Sequence, residues 1–551
     1  MKNLKNAITK PGRESQPWVI WIWNLSINLK EMVEQLNSLI AQGFGGIAIK
    51  PGRDMKPVLN SEEFCELLGE ALRIASEKKV AIRLAEDFSL PWSGALDQAM
   101  NRSRKLRAQQ LVLTEIRTPS GQDEIEITDT QDCFALAVRI NNGALSLADT
   151  KQLTSKSTNG PIVFKAPSAD WRVFVFRKEY LRDPLNSYIP NVYNPKIAQI
   201  YIQEVFESLR PVFSKYVSST FEGFINEMPT LLPAENAIPW DDDLVVKFRS
   251  KYKKDLIKLL PALFSENCAQ AHKIRQQIYT FLQQSMYERF TSPLEAWAKK
   301  NRLSQWILCP EKSIYRNSNC LIDPVVPSET GTYSFVGLQN LDGTEQNYPL
   351  LRVVADTNSN QYRRETLSVI GRNRLGSAGT VQSLKHEIDL GLLAGSSRTI
   401  IDGCFFNVDQ RSYIKTPFNP GWYSPGWEQM KPLCGYISRV QELLRDLHWN
   451  RQVAVLSPSQ QVLAGYMPSN NDSAIKGTLQ LQKTLAGLER CGLSFDVINE
   501  DFLSSCSVRT NGEFGTSDRI RKGNYQLLIV PYSPFISRDV LIFIDKLLQK
   551  D

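Results

Sequence analysis

The chain has 551 residues, 42% hydrophobic and 22% charged, which excludes a disordered protein and provides for two or three domains. Its net charge of +7 is spread through short groups such as KYKKD (251–255) and RIRK (519–522) with acids interleaved, so no continuous phosphate-binding groove and no nucleic-acid partner is expected. Nine cysteines without CxxC spacing and three histidines argue against a disulfide frame, a zinc site or a Ser-His-Asp triad, which leaves carboxylates to carry any hydrolysis.

The first residues, MKNLKNAITKPGRESQ, lack the apolar stretch of a secretory signal, and no later run is long enough to span a bilayer. The expectation is a soluble, cytoplasmic protein with no membrane partner, export remaining open. VIWIWN (19–24) reads as a strand, NLKEMVEQLNSLIAQG (28–43) as a helix ending on Gly43, and GGIAIK (45–50) as a second buried strand. SEEFCELLGEALRIASEKK (61–79) opens with a Ser and Glu cap pattern, and VAIRLAED (80–87) makes a third strand. This alternation specifies a parallel sheet.

Residues 105–178 switch to period two, which predicts a β-rich insertion after strand three. Helical spacing resumes at 194–216 and leads into FEGFINEMP (221–229), followed by long helical stretches over 242–264 and 268–300. SQWILCPE (304–311), YSFVGLQNLDG (333–343), ETLSVIGR (365–372) and RTIIDGCFF (398–406) bring the count to eight strands, the closure number of a (β/α)8 TIM barrel. After a Pro, Gly and Trp-rich stretch (416–427) and a helix (435–449), QVAVLSP, LSFDVIN and YQLLIVP alternate with helices in a flavodoxin-like α/β pattern. The expected domains are a barrel over 1–103 and 181–449, the insertion over 104–180, and the α/β domain over 450–551, which looks short for its type and is the expected surface for homo-oligomerisation.

In a barrel the groups available for chemistry stand at the carboxyl ends of the strands. They are Trp23 and Asn24, Lys50 and Arg53, Glu86 and Asp87 with Trp92 nearby, Asn226 and Glu227, Glu311, Asp342, Arg372 and Asn373, and Asp402. Carboxylates, amides, cations and tryptophans in one mouth suit a sugar. Glu227, ending an apolar strand, is the expected general acid, with Glu311 or Asp342 as its partner; an ordinary salt-bridged glutamate is the plain alternative. Trp23 and Trp92 serve equally as sugar platforms or as core, and Cys309 and Cys404 are expected to be inert.

PWVIWIWN, GGIAIKPGRDM, AEDFSLPWSG, FEGFINEMP with IPWDDDLVVKFRSKYKKDLIKLLPALF, and SPGWEQMKPLCGYISRVQELL together resemble the alpha-L-rhamnosidase-like glycoside hydrolases of family 106. The resemblance implies a TIM-barrel hydrolase of polysaccharide side chains, with inversion and calcium dependence, for which Asp87 and Asp342 are generic oxygen donors. A Thr-Asp-Glu-Pro motif of those relatives corresponds to Ile225, Asn226, Glu227 and Met228, and their Ser-Glu pair to Arg372 and Asn373. A Gly-His pair becomes Cys309 and Pro310, and a histidine near strand eight becomes Cys404. Asparagine cannot act as a base, so the alternatives are an enzyme with a relocated second carboxylate and a barrel that binds glycans or supports an assembly without catalysis.

Overall fold

The computed structural model describes residues 8–52, 54–86, 94–120, 124–128, 131–154, 160–182, 186–227, 234–309, 332–336, 356, 365–371, 380–408, 421–445, 451–470, 472–516, 524–532 and 535–550. Glu86, Glu227, Cys309, residues 94–95, 332–336 and 473–474 are described through their backbone.

Three strands, β1 (Trp18–Trp23), β2 (Gly46–Pro51) and β3 (Ala81–Glu86), alternate with the helices Leu29–Ala41 and Glu62–Glu77. Each helix starts at a polar cap: Asn28 Oδ1 accepts from the Glu31 N–H at 2.9 Å, and Ser61 Oγ from the Phe64 N–H at 3.2 Å. Met32, Leu36 and Leu39 bury one face of the first helix, as their spacing requires.

The insertion supplies β4 (Gln109–Arg117), β5 (Glu124–Ile127), β6 (Cys133–Asn141), β7 (Ala144–Leu153), β8 (Ile162–Lys165) and β9 (Trp171–Tyr180). The chain then returns as β10 (Phe221–Glu227), β11 (Ala237–Trp240), β12 (Ser304–Cys309), β13 (Thr332–Val336), β14 (Leu367–Ile370) and β15 (Arg398–Phe405). Eight of these strands close in the order β1-β15-β14-β13-β12-β10-β3-β2, every neighbour parallel, which is the predicted barrel. The antiparallel sheet runs β11-β4-β9-β6-β7. Its outer strand β11 lies beyond the predicted insertion, so the connection after β10 is stitched into the inserted sheet through pairs such as Trp240 with Gln109.

Three predicted helical stretches are interrupted, 268–300 by a π-helical turn over Tyr287–Thr291. The stretch 242–264 breaks at Lys253, whose φ of 56° is left-handed, and restarts at Asp255, which caps Leu256–Leu259. The stretch 194–216 carries a π-helical turn over Ile202–Glu207 and holds Pro211 inside its last part.

A third sheet joins β16 (Val453–Leu456), β17 (Phe495–Ile498) and, after the small hairpin β18 (Ser507–Val508) and β19 (Phe514–Gly515), β20 (Leu527–Ile529). These three strands are parallel in the order β17-β16-β20, with the helices Ser459–Gly465, Asp472–Arg490, Glu500–Ser505 and Arg538–Leu548 between and after them. The helix Ser459–Gly465 packs on Ala271–Met286, a contact continued by the edge-to-face pair Tyr279 and Tyr466 at 5.3 Å. Arg451 bridges Asp496 on β17 and Asp356, which comes from the segment between β13 and β14. Among the described residues no helix is long and apolar enough to cross a membrane.

Candidate active site

The barrel wall is apolar on both faces, and its packing separates them. Trp18, Ile20, Ala48, Ile225, Trp306 and Ile400 belong to a cluster inside the barrel. Val19, Trp21, Trp23, Phe224 and Ile401, of the opposite parity, join the core between barrel and helices. Gly223 is required where β10 meets β12: its φ is 135°, and a Cβ would stand 1.9 Å from the Ser304 carbonyl oxygen.

The amino-terminal end of the barrel is plugged. Trp18 and Trp306 meet edge to face at 4.7 Å, and the Arg83 guanidinium lies 3.8 Å from the centre of the Trp306 ring. Arg83 donates to the Ser304 carbonyl at 3.1 Å, to its Oγ at 2.7 Å and to Glu222 at 3.2 Å. Burial pulls the Arg83 pKa down to about 10 against the pull of Glu222, which still leaves the cation protonated at neutral pH. Barrels place their chemistry at the opposite end, at the carboxyl ends of the strands.

At that end Glu227 is the last residue of β10, in register with Leu308 of β12. Lys50 is in register with Ile22, which packs on the interior cluster, and is half-buried. Asp402 has the parity of Ile400, is in register with Ile20, and is buried. A bulge follows it: the register passes from Ile20 and Asp402 to Trp21 and Cys404, so that Phe405 rather than Cys404 is aligned with Ile22. Cys404 is fully buried in the outer core, which holds its thiol far above the usual range.

The remaining sequence candidates divide by place. Trp23 is 0% exposed, edge to face with Trp21 at 5.5 Å and Phe64 at 5.9 Å, so it packs the outer layer and presents no face to a ligand. Asn226 is buried with outer parity and accepts from Gln305 Nε2 at 2.5 Å, while Asn226 Nδ2 and Gln305 Oε1 have no partner among the described residues. Asn24 exchanges bonds with Asn407, donating to its carbonyl at 2.8 Å and accepting from its N–H at 2.9 Å, and so pins the loop after β1 to the loop after β15. Glu86 ends β3 in register with Asn226. Arg53, Asp87, Trp92, Glu311, Asp342, Arg372 and Asn373 lie outside the described residues.

A buried carboxylate next to the carboxyl end of β14 was not among the sequence candidates. Glu387, on the helix Val381–Leu393, is 1% exposed and accepts from the Gly371 N–H at 3.3 Å, just past the end of β14. Burial pushes its carboxyl up to about 7, only partly opposed by that bond. Its sequence signal is a glutamate on the apolar stripe of Leu384, Ile388 and Leu392.

Among the described residues no group of three or more His, Cys, Asp or Glu side chains stands ready to hold a metal ion. Asp87 and Asp342, the donors the resemblance offers for calcium, lie outside those residues.

No family model and no curated protein matches the sequence. Solved structures do match its fold. A rhamnosidase from Novosphingobium sp. PP1Y superposes with a TM-score of 0.67 at 11% identity, covering 99% of this chain and 68% of its own. A beta-galactosidase from Bacillus circulans sp. alkalophilus gives 0.51 at 10% identity, covering 89% of this chain and 66% of its own. A GH42 beta-galactosidase from G. stearothermophilus gives 0.50 at 10% identity, covering 96% and 70%. The chain thus spans about two thirds of the length of each and has a glycoside hydrolase-like barrel fold.

Proposed function

We propose that this chain is a carbohydrate-active barrel protein that hydrolyses an O-glycosidic bond in an oligosaccharide or polysaccharide, with Glu227 as general acid. The observation that carries the reading is the place of Glu227, the terminal residue of β10 at the carboxyl end of a barrel whose amino-terminal end is filled by Trp18, Trp306 and Arg83. In this scheme the protonated Glu227 carboxyl gives its proton to the leaving oxygen while a second carboxylate, Glu311 or Asp342, takes a proton from the attacking water. Lys50, whose register partner Ile22 packs on the interior cluster, borders the bound sugar. The likeness to a rhamnosidase supports a rhamnosidase-type inverting reaction, in which the two carboxyl groups stand roughly 6.5–9.5 Å apart to admit that water. We assign the third sheet to a flavodoxin-like domain over 450–551, with the insertion over 104–180 and the barrel on either side of it.

A non-catalytic, glycan-binding barrel is the second reading. It is favoured by Asn226, which stands where the resembling enzymes carry an acid and is engaged with Gln305 in the outer layer. Release of sugar from aryl rhamnosides, aryl galactosides and plant polysaccharides separates the two. The catalytic reading expects activity that falls about 10²- to 10⁴-fold in Glu227→Gln. Activity that survives the substitution removes Glu227 from the mechanism, and binding without hydrolysis establishes the second reading.

Self-association through the third sheet is proposed from an exposed apolar face on its last helix, where Leu541 and Ile542 lie between Arg538 and Asp545. Two such helices crossing antiparallel would set each Arg538 against the other copy's Asp545. A light-scattering mass equal to one chain would rule this out.

A further inference from the structure

The aromatic segment after β15 belongs to none of the groups assigned above. Residues 421–427 lead through the turn Trp427–Gln429 into the helix Met430–Arg445, which begins on the side of the barrel where β15 ends. Gly426 lies against Val381, the first residue of the helix that follows β14, and a Cβ at 426 would come 2.5 Å from Val381 Cγ2. Both helix starts are at the carboxyl ends of strands, so this segment is on the rim of the mouth.

Its rings form a built platform. Trp422 is 5.9 Å from Trp427 in an edge-to-face pair and 6.1 Å from Tyr423. Both tryptophans are half-buried against the outer core, whereas Tyr423 is 54% exposed. The backbone between them is fixed by successive turns, Ser424 N–H to the Gly421 carbonyl at 2.8 Å and Trp427 N–H to the Ser424 carbonyl at 3.0 Å. A lone exposed tyrosine is ordinary on a protein surface. One set beside Trp422, which Trp427 anchors in turn, on the rim of the barrel is preorganised, and its ring loses little freedom when a flat apolar face lies on it.

We propose that Tyr423, backed by Trp422 with Trp427 behind it, is a stacking subsite for a pyranose ring, outside the reacting centre, that holds an oligosaccharide or polysaccharide chain as it crosses the rim between β14 and β15. The C–H face of a pyranose is apolar, and aromatic rings are the side chains that pair with it. This inference rests on the carbohydrate reading above.

The test is affinity electrophoresis of the full chain in gels containing soluble rhamnogalacturonan, galactan or xyloglucan. Wild type is expected to be retarded by at least one of them. Tyr423→Ala, with circular dichroism unchanged, should bind that polysaccharide about 3- to 10-fold more weakly, the equivalent of one aromatic stacking contact. Tyr423→Phe should stay within about twofold of wild type, because the ring face rather than the hydroxyl makes the contact. Wild-type binding in the alanine variant overturns the subsite and leaves the carbohydrate reading standing, and equal weakening in the phenylalanine variant overturns the stacking assignment. A wild-type chain that neither migrates more slowly in nor cleaves any polysaccharide overturns the carbohydrate reading and the subsite with it.

Discussion

Replacing Glu387 by glutamine should make the protein more stable, by an amount that grows as pH rises from about 4.5 to 7 and then stays constant. The carboxyl is buried behind the end of β14 with one weak bond to the Gly371 N–H, and its Oε1 has no partner among the described residues. Its pKa rises from 4.5 to about 7 on folding. Between those values the folded chain keeps a proton that the unfolded chain has released, so stability is full below the unfolded pKa and falls as pH rises towards 7. At about 1.4 kcal/mol per pKa unit the loss is roughly 3 kcal/mol once the group is ionised. Glutamine keeps the shape without the charge, so the variant should gain about 2.5 kcal/mol on wild type between pH 5 and pH 8. Urea denaturation of both proteins at pH 5, 6, 7 and 8, followed by tryptophan fluorescence, reads this directly. A difference that does not change with pH would refute the reasoning, since it would mean that the carboxyl ionises as it does in water.

Two further substitutions test the frame that carries the mouth. Gly223→Ala would force a Cβ to 1.9 Å from the Ser304 carbonyl oxygen at a φ of 135°, so β10 must shift or the chain unfold. A loss of more than about 3 kcal/mol, or recovery only as insoluble protein, is expected, and a variant as stable as wild type would contradict the β10 to β12 geometry. Arg451→Ala leaves Asp356 and Asp496 buried together, where burial and then the Asp356 charge already push the Asp496 carboxyl up. Breaking such a cluster costs about 3–5 kcal/mol at neutral pH and less in acid, where the carboxyls are protonated; a denaturation midpoint unchanged at pH 7 would count against the cluster.

The eight barrel strands were legible because each is a short apolar run bounded by a helical segment, and the runs from VIWIWN to RTIIDGCFF recur as the strands that close. Which side chains face inward was not legible. In a parallel sheet covered on both faces the residues do not alternate between apolar and polar, so WVIWIW carries no parity signal. Trp23 therefore looked equally like a sugar platform and like core, and packing against Phe64 makes it core. Strand β11 was missed for a related reason. AIPW is four residues long and gains its strand character by pairing with β4 far back in the chain, a contact that local propensity does not register.

The barrel strands can be read off the chain as apolar runs bounded by polar residues, and β10 ends on Glu227 as FEGFINEMP leads one to expect. Which residues of neighbouring strands share a face is set by closure of the sheet. Closure of the sheet puts Ile225 inside with Trp18 and Trp306 and sends Asn226 to Gln305 outside, and burial alone turns Glu387, an ordinary helical glutamate in sequence, into an acid that titrates near neutrality. Parity and desolvation are properties of the closed barrel with its helices packed around it, and no segment read alone contains them.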